Sequence, residues 1–137
     1  MTMRPPLIIN RLDAERLQRL IDAADDQDLA VAEALEAELE RGEVLDPEEM
    51  PEDVVSMNSR VQFTDLGRGR QITRTLVYPH ALASTEDAIS VMAPVGAALL
   101  GLRIGDTIDW PLPGGGKTRL RLDALLWQPE REGQFHR

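Results

Sequence analysis

Cysteine is absent from this chain, and histidine and aromatic residues are scarce. The sequence has no Cys, two His, two Trp, one Tyr and two Phe. Without cysteine there are no disulfides and no thiolate metal sites. His80 and His136 have neither a companion nucleophile nor metal-ligand spacing, and no Gly-x-Ser-x-Gly motif occurs. We therefore expect no catalytic centre, no cofactor and no metal.

Basic residues are also in short supply. Lys and Arg number 15 against 24 Asp and Glu, which gives a formal net charge of -9. Binding to nucleic-acid phosphates needs clustered Lys and Arg, so this balance opposes recognition of a specific DNA or RNA. We expect a protein partner instead. Because no long apolar run is present, we also expect no membrane association and a cytoplasmic location.

Gly116-Lys117-Thr118 resembles the end of a phosphate-binding loop, but the pattern is incomplete. Pro111 stands where the loop needs its first glycine, and the residues that follow alternate as in a strand rather than opening a helix. We interpret this segment as a glycine-rich hairpin and reject nucleotide hydrolysis.

The first third of the chain is predicted to be helical. Apolar residues recur at helical spacing between positions 12 and 42, with a polar break at 24–28. The pattern predicts two helices of about 12 to 14 residues, packed as a short antiparallel hairpin with coiled-coil character. We expect Asp13 to cap the first helix and Asp28 the second, with Gly42 at the end of the second.

The remainder alternates with a period near two, which predicts strands. Val61, Phe63, Ile72, Leu76 and an inward row from Leu120 to Leu126 mark an antiparallel sheet. One short helix is predicted at 93–100, opened by Pro94 and closed by Gly101. The fold class is therefore α+β, with a helical domain at 1–46 and a sheet domain at 47–137. We expect the polar residues 129–137 to be poorly ordered.

The polar break between the helices carries the acidic residues Asp25, Asp26 and Asp28. Carboxylates at a bend can hold a hard cation such as magnesium. Aspartate is equally what helix ends favour. We interpret these residues as solvated helix caps rather than as a metal site.

Several segments resemble the Rnk branch of the Gre family of transcript-cleavage factors. They read NRLDAERL at 10–17, PEEMP at 47–51, VVSMNSRV at 54–61, RTLVYP at 74–79 and SVMAPVGAALLGLRIG at 90–105. The resemblance implies a C-terminal domain with the fold of FKBP-type prolyl isomerases, docked at the rim of the secondary channel of RNA polymerase. In Gre factors a helical coil reaches inward, and two carboxylates at its tip hold the magnesium that drives RNA cleavage.

This chain departs from that pattern in the length of its coil. Helices of this size span roughly 20 Å at 1.5 Å per residue, whereas the resemblance implies a Gre coil more than twice as long. We therefore carry no catalytic role onto the tip carboxylates. We expect a regulator that binds polymerase without cutting RNA, competes with Gre factors and affects nucleoside diphosphate kinase only indirectly. The candidate contacts are Asp25, Asp26, Asp28, Met92, Pro94 and Val95.

Two other functions stay open at this stage. The fold resemblance alone suggests a prolyl isomerase, although such enzymes line their pocket with aromatic residues and this chain has few. A stress protein that binds a small ligand is the other alternative.

Overall fold

Three helices and seven strands form an α+β fold in the computed structural model, which describes residues 8–111 and 115–134. The helices are α1 (Arg11–Asp22), α2 (Leu29–Arg41) and α3 (Pro94–Leu99). Short 3-10 helices lie at Pro47–Glu49 and Pro79–Ala81. Within the described part of the chain, no helix has the length and apolar character needed to cross a membrane.

The strands form two sheets. They are β1 (Ile8–Asn10), β2 (Glu43–Leu45), β3 (Arg60–Asp65), β4 (Arg70–Val77), β5 (Ala88–Ser90), β6 (Thr107–Pro111) and β7 (Lys117–Trp127). β1 and β2 pair with each other, and the larger sheet has the order β5-β4-β3-β7-β6.

The larger sheet is mixed, so the prediction of a purely antiparallel sheet is wrong. β5 runs parallel to β4, while the β4–β3, β3–β7 and β7–β6 pairs are antiparallel. The connection between β4 and β5 contains the 3-10 helix at Pro79–Ala81. β5 then pairs with β4 on the side opposite to β3. A connection of this length permits a parallel return, whereas a two-residue hairpin imposes an antiparallel one.

Residues 11–41, which we call the helical arm, contain two helices of the predicted length. α1 has 12 residues and α2 has 13, and Gly42 follows the end of α2 as expected. Asn10 pairs with Leu45, so the start of α1 lies beside the segment that follows α2, and residues 23–28 join the other ends. The coiled-coil geometry of the arm stays a prediction.

The cap of α1 differs from the predicted one, whereas Asp28 holds the N-cap position of α2 as predicted. The side chain of Asn10 caps α1 by accepting from the Asp13 N–H at 2.7 Å, because α1 begins at Arg11, two residues before Asp13. Asp28 precedes α2 but makes no side-chain cap bond. Asp25 Oδ1 instead accepts from the N–H groups of Gln27 and Asp28, a local turn that aspartate favours.

The inward row of β7 changes phase along the strand. Leu120 and Leu122 are buried as predicted, but Leu125 is buried and Leu126 is 47% exposed. The pairing of β7 with β3 shifts register twice, once between Arg60 and Val61 and once between Gln62 and Phe63. An extra residue in one strand reverses which face the next side chain occupies, so the prediction that Leu126 faces the core is wrong.

One apolar core runs through the arm and the sheet. Its buried members include Leu17 of α1, Leu35 of α2, and Phe63 and Leu120 of the sheet. α3 packs so closely on β5 that a Cβ at Gly96 would overlap the Ser90 carbonyl. Gly101, just beyond the end of α3, has φ +81°, the left-handed conformation expected of a residue that ends a helix. The division at residues 46 and 47 stays a prediction, since this core spans it.

The segment after β7 is better anchored than predicted. Gln128 is fully buried and donates to the carbonyls of Pro51 and Val54 at 2.9 and 2.7 Å. Glu130 is also buried. The expectation of a poorly ordered tail is therefore wrong for 129–134, because buried polar side chains hold this turn. Residues 135–137 of that expectation lie outside the described residues.

Candidate functional site

The tip of the arm, residues 23–28, presents the predicted acidic surface. Asp25 and Asp26 are exposed, and Asp28 is half-buried. Asp25 Oδ1 accepts hydrogen bonds from the backbone N–H groups of Gln27 and Asp28 in the same turn. Among the residues that the structure describes, no group of three or more His, Cys, Asp or Glu is placed to hold a metal ion. Its exposed carboxylates give the tip a negatively charged surface.

The second predicted contact region, residues 92–95, leads into α3. Met92 is half-buried against the core, and its N–H is held by Ser90 Oγ at 3.1 Å. Pro94 begins α3 as expected. The side chains of Pro94 and Val95 lie outside the described residues, so their predicted exposure stays a prediction.

A cluster of buried polar side chains lies where the arm joins the sheet. Asn10 Nδ2 donates to Glu130 Oε2 at 2.5 Å and to Asp13 Oδ2 at 3.2 Å. The Tyr78 hydroxyl donates to Asp13 Oδ1 at 2.9 Å, and the Ser56 hydroxyl donates to Glu130 Oε1 at 2.7 Å. All five residues are buried. We call them the joint cluster.

The joint cluster connects segments that are distant in sequence. Asn10 ends β1 and caps α1, and Asp13 lies in the first turn of α1. Ser56 precedes β3, Tyr78 directly follows β4, and Glu130 lies in the turn after β7. Each hydrogen bond contributes only about 1 kcal/mol net, but a buried group left without its partner costs about 1–3 kcal/mol. The cluster therefore helps to hold the start of α1 against the sheet.

Burial strongly perturbs the carboxyl group of Asp13. Loss of solvent is the largest effect and raises its pKa to about 7, helped by the nearby charge of Glu130. Hydrogen bonds from Tyr78 and from the Met57 N–H, with the charge of Arg16, act in the opposite direction. Burial and the Asp13 carboxylate also raise the pKa of Tyr78 above its ordinary value. Tyr78 therefore remains a hydroxyl donor at neutral pH.

A carboxyl group with a pKa near 7 is a common feature of acid–base catalysts. Asp13 is only 1% exposed, however, and its oxygens are occupied by Tyr78, Asn10 and the Met57 N–H. A substrate has no access to it. The geometry fits a structural joint rather than a catalytic site.

The sequence analysis missed the joint cluster. Asn10 and Asp13 have the three-residue spacing of a capping pair, which is the one local signal that identifies Asn10 as the cap. Nothing in the sequence marks Tyr78 as a hydrogen-bond donor to Asp13, and Glu130 falls in the segment that the sequence predicts to be poorly ordered. No local pattern links Glu130 to Asn10, because 120 residues separate them.

Two family models match the chain. The model described as the Rnk N-terminus matches residues 5–45, and the model described as the C-terminal part of transcription elongation factors GreA/GreB matches residues 50–123.

Individual relatives agree with these matches. The chain is 53% identical over 132 residues to the regulator of nucleoside diphosphate kinase of Escherichia coli strain K12, covering 96% of this chain and 97% of that one. It is 29% identical over 126 residues to transcription elongation factor GreA of Aliarcobacter butzleri, covering 85% and 78% of the two chains.

A solved structure shares the fold. The prokaryotic transcription elongation factor GreA/GreB from Nitrosomonas europaea matches with a TM-score of 0.79 and 45% identity, covering 90% of this chain and 100% of that chain. Similarity that extends across both the helical arm and the sheet places the two parts together in one family. The chain therefore belongs to the Rnk branch of the GreA/GreB family of transcription factors.

Proposed function

We propose that this protein docks on RNA polymerase near the secondary channel and regulates transcription without cleaving the transcript. Family membership supports the first part, because relatives of this chain include proteins named transcription elongation factor GreA. The single observation that carries the second part is the length of the arm.

The arm is short for a catalytic role inside the polymerase. Helices of 12 and 13 residues extend roughly 20 Å at 1.5 Å per residue. A carboxylate must lie roughly 2 Å from a magnesium ion to take part in its chemistry. The resemblance to cleaving Gre factors implies a considerably longer coil, so tip carboxylates on this arm stop short of the reacting RNA.

Two surfaces are the proposed polymerase contacts. The tip offers Asp25, Asp26 and Asp28 to basic residues of the polymerase, and such charges favour encounter at low salt. The segment that leads into α3, with Met92, Pro94 and Val95, is the second proposed contact. A protein that occupies this position excludes Gre factors from it, so competition with them follows. Any influence on nucleoside diphosphate kinase is then indirect, through transcription.

Charge variants at the tip test the docking contact. Replacing both Asp25→Asn and Asp26→Asn is expected to weaken binding to core polymerase roughly twofold to thirtyfold at low salt, at about 0.2–1 kcal/mol per exposed charge. The matched control, Glu40→Gln with Glu43→Gln, removes two exposed charges from the last turn of α2 and the start of β2, at the opposite end of the arm from the tip. Failure to recover polymerase at low salt, or equal weakening by the control pair, contradicts the proposal.

A photo-cross-linker locates the docking position. Gln27 is exposed at the tip, and Arg119 is exposed on β7. With the probe at position 27, adducts are expected on polymerase residues at the rim of the secondary channel. Position 119 serves as the comparison for non-specific adducts. Adducts from position 27 that map elsewhere on polymerase contradict the proposed location.

The prolyl isomerase alternative rests on fold analogy alone. The family to which the chain belongs is one of transcription factors, which favours docking on polymerase over prolyl isomerisation.

A further inference from the structure

A cavity of about 520 Å³ lies between the helical arm and the sheet. Its lining comes from α1, from the turn before β3 and from the turn after β4, and consists of Arg16, Arg19, Leu20, Asn58, Tyr78 and His80. Small-molecule sites in proteins have volumes of about 300–1,000 Å³. This cavity is therefore large enough for a metabolite.

Two arginine side chains, Arg16 and Arg19, line the cavity, although the protein as a whole has a formal net charge of -9. Arg16 and Arg19 are three residues apart on α1, so both lie on one face of the helix. The described lining includes no carboxylate. Guanidinium groups bind phosphate oxygens through two parallel hydrogen bonds. This lining therefore favours a phosphorylated anion.

A stack of planar groups forms one wall. The Arg16 guanidinium carbon lies 5.9 Å from the centre of the Tyr78 ring, and His80 stacks on that ring with centroids 6.0 Å apart and planes inclined by 8°. His80 is exposed, whereas Tyr78 is buried. An exposed imidazole ring can stack on a nucleic-acid base. The wall therefore favours a ligand with a planar heterocycle.

Asn58 completes the site with an amide side chain. Its backbone is left-handed, at φ +68°, and its N–H is held by the Leu76 carbonyl at 2.6 Å. An amide carries both a donor and an acceptor, which match the edge of a base. Such backbone conformations are concentrated at functional sites.

From this arrangement we propose that the cavity binds a free nucleoside phosphate, with its phosphates on Arg16 and Arg19 and its base against His80. Arg16 also hydrogen-bonds to Tyr78, whose hydroxyl donates to Asp13. The bound ligand thus contacts side chains that hold the arm against the sheet. This role goes beyond polymerase docking and does not require it.

Thermal unfolding and calorimetry on the isolated full chain test the site, with ADP, inorganic pyrophosphate and adenosine as probes. A ligand that binds only the folded state raises the melting temperature as its concentration increases. ADP is expected to give the largest shift, pyrophosphate a smaller one and adenosine the smallest. Absence of binding by millimolar ADP overturns the proposal.

Two variants separate the phosphate and base contacts. Arg19→Gln is expected to weaken ADP and pyrophosphate binding by about tenfold, the effect of one charge-assisted hydrogen bond. His80→Ala is expected to weaken ADP binding while leaving pyrophosphate binding unchanged. The control Arg119→Gln removes an exposed arginine on β7 and should change neither.

Three results would overturn the assignment. Equal losses from Arg19→Gln and Arg119→Gln would show that the attraction is unspecific. Equal losses of ADP and pyrophosphate binding in His80→Ala would remove the base contact. Binding of a 5′-phosphorylated RNA oligonucleotide without binding of ADP would assign the cavity to an RNA end instead. Because polymerase is not in the assay, failure here leaves the docking proposal unaffected.

Discussion

At the scale of single residues, the buried carboxyl group of Asp13 joins α1 to the segments on either side of β3 and β4 by hydrogen bonds. Its Oδ2 accepts from the Met57 N–H and from Asn10, and its Oδ1 accepts from Tyr78. Donors favour the ionised carboxylate, whereas burial and Glu130 favour the neutral acid. Burial has the larger effect. A proton bound on Oδ1 can be donated to the Tyr78 oxygen after the hydroxyl rotates, so the joint cluster accommodates either state.

Asp13→Asn tests this balance through the pH dependence of stability. The folded-state pKa of about 7 lies above the ordinary 3.8, so the folded protein binds this proton more tightly than the unfolded chain. The free energy of unfolding should therefore fall as pH rises from about 4 to about 7, by at most about 4 kcal/mol from this group, and should level off above that range. Asn, which resembles the protonated acid, should remove this slope in urea unfolding curves.

Asp22→Asn is the matched control for that measurement. Asp22 is an exposed carboxylate on the same helix and accepts from Gln18 at 3.0 Å. Its replacement should leave the slope intact. A slope that persists unchanged in Asp13→Asn would contradict the assignment to Asp13.

The residue scale is also where the sequence was least informative. Asp13 looked like a helix cap because aspartate favours that position and an apolar run follows it. Asn10 caps the helix instead, and this leaves Asp13 free to face inward. Its burial depends on Tyr78 and Glu130, which arrive from distant parts of the chain, so no local rule could identify it.

At the scale of elements, regular segments were predicted well and short or irregular ones were not. The arm helices, α3 with Pro94 and Gly101, and strands β3, β4 and β7 follow from periodicity and breakers. β1, β2 and β5 have three residues each, which is too few to show a period. The phase change in β7 arises from bulges against β3, and pairing of this kind is not encoded within β7 alone.

Gly96→Ala tests how α3 is held. Alanine should favour the helix by about 1 kcal/mol, but its Cβ overlaps the Ser90 carbonyl and must push α3 away from β5. We expect a net loss of about 1–3 kcal/mol in stability, typical of overpacking, together with weaker polymerase binding because residues 92–95 move with the helix. Urea unfolding and a polymerase binding assay measure the two effects.

Ala97→Gly is the comparison for that variant. It makes the reverse change at the next position of α3 and should cost about 1 kcal/mol through helix propensity. If Gly96→Ala proves more stable than the unmodified chain, the close packing of α3 on β5 is not a constraint.

At the scale of the whole molecule, a short arm shares its core with a five-stranded sheet. The resemblance found in the sequence led to the family that the comparisons show, because its motifs are spread over much of the chain. The arm length was also predictable, since helix ends are marked by Gly42 and by the polar break before α2. The joint cluster was not, because its hydrogen bonds link residues that are distant in sequence.

We propose above that the arm binds RNA polymerase without taking part in cleavage of the transcript. The most direct measurement is the release of 3′ transcript fragments from stalled elongation complexes, with this protein alone and with a cleaving GreA factor present. We predict that this protein alone releases no fragments above background and that it lowers the GreA-stimulated release as its concentration increases. Release of 3′ fragments by this protein alone would contradict the account.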